Sequence, residues 1–228
     1  MTTLLERPIY GMSQVDALLG LIGGTARRWI DGYERSGKSY APVVRVEPTG
    51  EEAVTWGEFV ETRLLAEYRD RGVPLIRMRP VVERLRNELG LTYPLAHALP
   101  FVSNRELVAA VQDDVDLDDR LRIVEVLRTG QIELAFESRS FWEAVEWEPG
   151  SEAGLSEIAA RLHVFGKQSP VMIDPLRSFG APTVGSVRTD VVAEEVRAGA
   201  ALAFVAAGFG ITLREAAAAV EYEERVAA

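Results

Sequence analysis

Apolar residues in positions 1–94 fall in short blocks of helical spacing, most of them closed by glycine. Val15, Leu18 and Leu19 follow Ser13, a residue suited to capping a helix start, and Gly20 ends the block. A second helix is predicted from Thr25 through Trp29 and Tyr33, stopped by Gly37. Two short helices across a glycine-bearing turn form the skeleton of a helix-turn-helix. The pattern then turns β-prone. Pieces at 43–46 and 53–55 flank the turn formers Glu47-Pro48-Thr49-Gly50, which predicts a hairpin, or wing. Amphipathic helices are predicted over 56–71 and 75–89, broken by Gly72-Val73-Pro74.

Residues 95–173 read as a separate α+β segment. Ser103 or Asn104 is placed to cap a helix through Gln112, and apolar runs at 121–127 and 131–136 flank Thr129-Gly130 as a hairpin. Further strands are predicted at 158–165 and 171–173, giving a small central antiparallel sheet. The acidic, turn-rich stretch 143–152 reads as an exposed edge and loop, and Trp142 and Trp147 as core or edge packing. In 174–228, Thr189 begins a helix to Ala198, residues 201–207 give another, and Thr212 caps a third from Leu213 to Arg225. The predicted fold class is α+β, mainly α: a winged helix-turn-helix (1–94), a central sheet (95–173) and a three-helix module (174–228).

Composition narrows the chemistry. A hydrophobic content of 47% suits packed cores, and the absence of cysteine excludes disulfides, Cys-ligated metals and a thiol nucleophile. Residues 1–10 hold no apolar stretch of signal-peptide length, and nothing later approaches the roughly 18 apolar residues of a membrane span. A cytoplasmic protein without membrane partners is expected. The net charge of −10 argues against DNA only if it is uniform. Of 25 basic and 35 acidic residues, 13 of each lie in 1–94, which leaves 12 against 22 for 95–228. Between 24 and 45, five basic residues face two acidic ones.

The run Thr25-Ala26-Arg27-Arg28-Trp29 sets two guanidinium groups on the second helix. Arginine suits both phosphate oxygens and the O6 and N7 edge of guanine. Lys38, Tyr40 and Arg45, at the root of the wing, are placed for the flanking backbone or minor groove. Spacing alone fits equally well an amphipathic helix with a solvated basic face.

Residues 10–89 resemble the MerR-type winged helix-turn-helix, on Leu19-Gly20-Leu21, Thr25-x-Arg27-Arg28-Trp29, the wing, Val54-Thr55-Trp56, Leu64-Leu65 and Arg71-Gly72-Val73-Pro74-Leu75. The resemblance implies that Arg27 grips the DNA backbone and that Trp29 takes the family's aromatic position. Gly23-Gly24 stand where the family carries base-reading polar residues, and neither a metal-sensing cysteine nor a long dimerising helix follows Leu89.

The last segment is similar to the small three-helix domain of VapB-like antitoxins. The matching residues are Asp174-Pro175, Phe179-Gly180-x-Pro182, Gly185-x-Val187-Arg188-Thr189, Val192-Ala193, Ala198-Gly199, Ala206, Phe209-Gly210-Ile211-Thr212 and Val220-Glu221-Tyr222-Glu223. This resemblance implies a type II antitoxin that silences a PIN-like ribonuclease toxin and autoregulates its operon by binding operator DNA, with a homodimer expected. Glu215, Glu221, Glu223 and Glu224, with Glu194 and Glu195 on a neighbouring helix, are candidates to face a basic toxin, and also fit a solvated helix face. Arg177 and Arg188 are candidates to enter the carboxylate cluster of such a nuclease. The alternative is a MerR-like ligand-sensing regulator without a toxin.

No catalytic or metal constellation emerges. His97 and His163 are far apart in sequence, and the aspartates between 113 and 119 lack the glycine and terminal glutamate of a calcium loop. Gly20-x-x-Gly23-Gly24 lies between helices and lacks the lysine of a phosphate-binding loop. A non-enzymatic protein without cofactor is expected.

Overall fold

In a computed structural model, which describes residues 3–150 and 157–227, the chain is α+β with small antiparallel sheets. It divides into two compact units, 1–142 with 147–159, and 143–146 with 160–228.

In the first unit, β1 (Pro8–Gly11) pairs antiparallel with β4 (Ala53–Thr55) and runs directly into α1 (Met12–Leu18). The predicted Ser13 cap is replaced: Gly11 is the N-cap, with no side-chain bond, and Ser13 lies inside the helix. Helix α2 (Thr25–Ile30) is capped from a distance, because the buried Asp16 carboxylate accepts the amides of Gly24 and Ala26, both at 2.7 Å.

This helix is shorter than its sequence pattern. Gly32 has φ +77°, and a Cβ there would lie 2.6 Å from the Tyr40 carbonyl, so the chain turns where only glycine fits. Residues 33–40, predicted as helix and loop, are instead the hairpin β2 (Tyr33–Arg35) and β3 (Lys38–Tyr40). Ser36 and Gly37 both take positive φ at its two-residue turn, the conformation that matches strand twist. Tyr33 and Tyr40 face each other across the pair and stack at 4.6 Å.

The hairpin predicted from 43–46 and 53–55 does not form. Val43 and Val44 donate their amides to the Trp29 carbonyl and Arg45 to that of Ile30, so this segment satisfies the end of α2. Its expected partner strand, β4, is taken by β1.

Helix α3 (Trp56–Glu67) starts with a Thr55/Glu58 capping box and is buried around nearly its whole circumference. The predicted helices continue as 3-10 turns at Arg69–Arg71 and Leu75–Met78, the latter leading into α4 (Arg79–Leu89). After α5 (Leu99–Val102) and α6 (Arg105–Asp114), strands β5 (Val124–Val126) and β6 (Ile132–Leu134) form the predicted hairpin. Gln112 ties it to α6, accepting from the amides of Ile123 and Val124 and donating to the Val124 carbonyl.

The chain then forms α7 (Phe136–Ala144), unforeseen in the sequence, and β7 (Val145–Glu148), an edge strand in the stretch predicted as an exposed edge and loop. Residues 151 and 152 of that loop lie outside the described residues. Trp142 and Trp147 stack at 4.5 Å beside Phe101 and Phe141, in keeping with a packing role.

The predicted central sheet is two separate sheets. Strands β8 (Ile158–His163), β9 (Val171–Ile173), β10 (Thr183–Val184) and β11 (Val187–Arg188) join β7 in a five-stranded sheet of order β11-β10-β9-β8-β7, apart from β5-β6. Helices α8 (Thr189–Arg197), α9 (Leu202–Phe209) and α10 (Leu213–Ala227) follow. Val171, Val184, Val192, Val205, Ala206, Ala216, Ala219 and Tyr222 form the core of this second unit. Thr212 and Glu215 make the capping box of α10. Thr189 does not cap α8; its hydroxyl donates instead to the Pro182 carbonyl and the Glu223 carboxylate.

Candidate functional site

The candidate DNA-facing residues occupy α2 and the hairpin behind it. Thr25 opens α2, and its hydroxyl accepts Nη2 of the exposed Arg28 at 2.7 Å. Arg27, half-exposed, pairs with Glu52. Lys38 is exposed on β3 with its ammonium 5.4 Å from the Tyr40 ring. Opposite it on β2 is Arg35, also exposed, which the sequence reading passed over because a helix was predicted there. Four cations thus lie on one six-residue helix and the hairpin that follows it.

Arg45 is corrected. Its side chain is 7% exposed, and its guanidinium is spent inside the protein. Nε donates to Glu58 at 2.7 Å, Nη1 to Asp31 at 2.8 Å and Thr49 at 2.6 Å, and Nη2 to the Ala53 carbonyl at 2.7 Å. Asp31 also accepts the amides of Thr49 and Gly50 at 2.7 and 2.9 Å. Burial pushes the Asp31 carboxyl up, but the bonds from Thr49, Arg45 and Gly50 outweigh it and hold the group below its usual range. For Arg45, burial opposes the charge and Glu58 and Asp31 restore it, leaving its pKa raised. This clip fixes the loop 45–53 against the end of α2 and the start of α3.

Two other buried groups of the first unit are not matched so fully. Glu61 on α3 accepts the Leu95 amide at 3.0 Å with one oxygen, while the other has no partner. Burial raises its carboxyl to about 8, only partly countered by Arg86. His97 Nδ1 is also buried without a partner, and burial lowers that imidazole's pKa. In the second unit, His163 is bonded to the Ser169 carbonyl and Glu146. Among the described residues, no group of three or more acidic or histidine side chains is arranged to hold a metal.

In the second unit, most of the candidate toxin-facing residues have work within the protein. Glu215 is held below its usual pKa by the amide and hydroxyl of Thr212 in the capping box. Glu221 pairs with Arg225, Glu223 accepts from Thr189, and Arg188 pairs with Asp190. Glu194, Glu195 and Glu224 are exposed.

Arg177 is exposed, with Asp174 at 3.5 Å, between Leu176 and Phe179, which are 66% and 90% exposed. Ser178 and Phe179 both take left-handed backbone there. On α9, Phe204 is 77% exposed. The exposure of Phe204 was hidden in the sequence because an apolar residue within an apolar run reads as core.

No family model matches the chain. It is 28% identical to "Putative antitoxin VapB45" of Mycobacterium tuberculosis, over 93% of this chain and 94% of that one, a distant homology that supports an antitoxin-like identity. The crystal structure of Rv2018 from M. tuberculosis has the same fold, with a TM-score of 0.72 at 22% identity, over 93% of this chain and 97% of that one. The chain is also 40% identical to "Uncharacterized protein Rv2308" of M. tuberculosis, over 98% of its own length and 93% of that protein. With that identity maintained end to end, the chain belongs to the family of Rv2308.

Proposed function

We propose that the chain is a cytoplasmic type II antitoxin, a binding protein and not a catalyst. In this reading the first unit binds operator DNA and the second silences a PIN-like ribonuclease toxin. The distant homology to VapB45 carries the reading.

The DNA-binding part is a winged helix-turn-helix of the MerR kind, with α1 and α2 as the helix pair and β2-β3 as the wing. Support comes from the exposed cations Arg28, Arg35 and Lys38 and the half-exposed Arg27, and from the clip at Arg45, which holds the adjoining loop without offering its own charge. Because Asp16 already fills the amide cradle at the start of α2, phosphate contact falls to the arginine side chains, not to the helix terminus. A homodimer would set two such modules on half-sites about one helical turn apart.

Co-expression with the protein encoded by the adjacent reading frame tests the whole reading. A co-purifying complex is expected, and two proteins that never associate would sink it. Retention on operator DNA should fall steeply with salt and weaken in Arg27→Ala and Arg28→Ala.

A further inference from the structure

Helices α9 and α10 cross at 111° through the three-residue turn Gly210-Ile211-Thr212, in which Gly210 takes left-handed backbone. That is the shape of a second helix-turn-helix. Its surface chemistry is wrong for nucleic acid. From 189 to 227 there are three basic residues against seven acidic. Two of those cations are engaged: Arg214 donates to the Gln168 carbonyl at 2.6 Å, and Arg225 pairs with Glu221 and lies over the Phe165 ring. Phosphates would meet carboxylates on this module.

The exposed side of α9 is instead free of charge. No charged residue occurs between Arg197 and Arg214. Val205 and Ala206 point into the core, while Ala203, Phe204, Ala207 and Gly208 face outward. Small residues on both sides of Phe204 leave its ring standing clear, the geometry of an anchor that fills a partner's pocket. The helices packed against α9 carry exposed acids, Glu194 and Glu195 on α8 and Glu224 on α10, against one exposed cation on α8, Arg197, so the charge beside the neutral strip is net negative.

We infer that the uncharged face of α9, with Phe204 as its anchor, is the seat of a basic protein partner that offers an apolar pocket within a positively charged rim. Resting on the antitoxin reading, this partner is the toxin. A second copy of the chain is disfavoured because it would press acids onto acids. An anionic membrane would be repelled by the same acids.

The test measures binding of the full-length chain to the protein encoded by the adjacent reading frame, for wild type, Phe204→Asp, Phe204→Ala and the double variant Glu194→Lys/Glu195→Lys. Thermal melts establish that each variant is folded. Phe204→Asp should raise Kd about 30-fold or more, with Phe204→Ala intermediate. The double variant should slow association and flatten its salt dependence. If wild type binds and all variants bind equally well, this face is not the docking site, while the antitoxin reading stands. Failure of wild type to bind overturns both. If Phe204→Asp leaves toxin affinity intact but abolishes self-association, DNA retention or vesicle binding, the face belongs to that other partner and the inference is wrong.

Discussion

Two helix pairs in this chain share a plan and differ in what surrounds them. The pair α1-α2 is framed by charge: Asp16 caps it, Asp31 and Arg45 clip its end to a loop, and exposed arginines and a lysine lie on α2 and the following hairpin. The pair α9-α10 has an uncharged outward face on α9 and an apolar interior. On the function proposed above, the shared helix-turn shape does not choose the partner. The charge carried on its exposed face does, and the first pair holds its surroundings in place with buried ions while the second relies on close packing of valine and alanine.

The comparison breaks most sharply at Arg45. Arg45→Ala leaves Asp31 and Glu58 buried without their cation and should cost about 3–5 kcal/mol in chemical denaturation. An unchanged midpoint would remove the ionic half of the contrast. Because the folded pKa of Asp31 lies below its ordinary 3.8, the stability it contributes is present at neutral pH and is lost as pH falls below about 4 through the folded value.

Gly32→Ala comes next. It combines left-handed backbone with a 2.6 Å approach to the Tyr40 carbonyl, and should cost about 2 kcal/mol. The same substitution at Gly208 on α9, where a Cβ meets nothing, should leave the melting temperature nearly unchanged or raise it slightly.

Glu61 supplies a pH dependence of opposite sign. With its folded pKa raised from 4.5 to about 8, its protonated form is favoured by folding, so its contribution falls as pH rises between those values. Glu61→Gln keeps an acceptor for the Leu95 amide and should flatten that slope, gaining most over wild type near pH 8 in pH-resolved denaturation. A slope equal to that of wild type would contradict it.

The smallest stability effect is expected at Phe204→Asp, within about 0.5 kcal/mol, since the ring is largely in water. A large loss there would mean that the α9 face is part of the core.

Legibility in the sequence followed how local each determinant is. The helices α3, α4, α6 and α10 and the hairpin β5-β6 were visible because their apolar periodicity and turn residues lie within one segment. The hairpin β2-β3 was hidden because Trp29, Tyr33 and Gly37 are spaced as a helix would space them, while the deciding contact is between Gly32 and Tyr40. The strand β1 was missed because four residues carry no period and its partner lies more than forty positions away. At the candidate site, the basic character of 25–38 was legible. The burial of Arg45 was not, since it depends on Asp31 and Glu58 arriving from two other elements.

The loop carrying Pro48, Thr49 and Gly50 is exposed to solvent, yet Asp31 holds two of its amides. In deuterium those amides should exchange with core helices and not with surface loops, opening only when α2 and α3 separate. A protease would meet the same segment as an accessible sequence locked in a shape its active site cannot bind. Resistance to cleavage there would report, from the outside, that the buried ions are still in place.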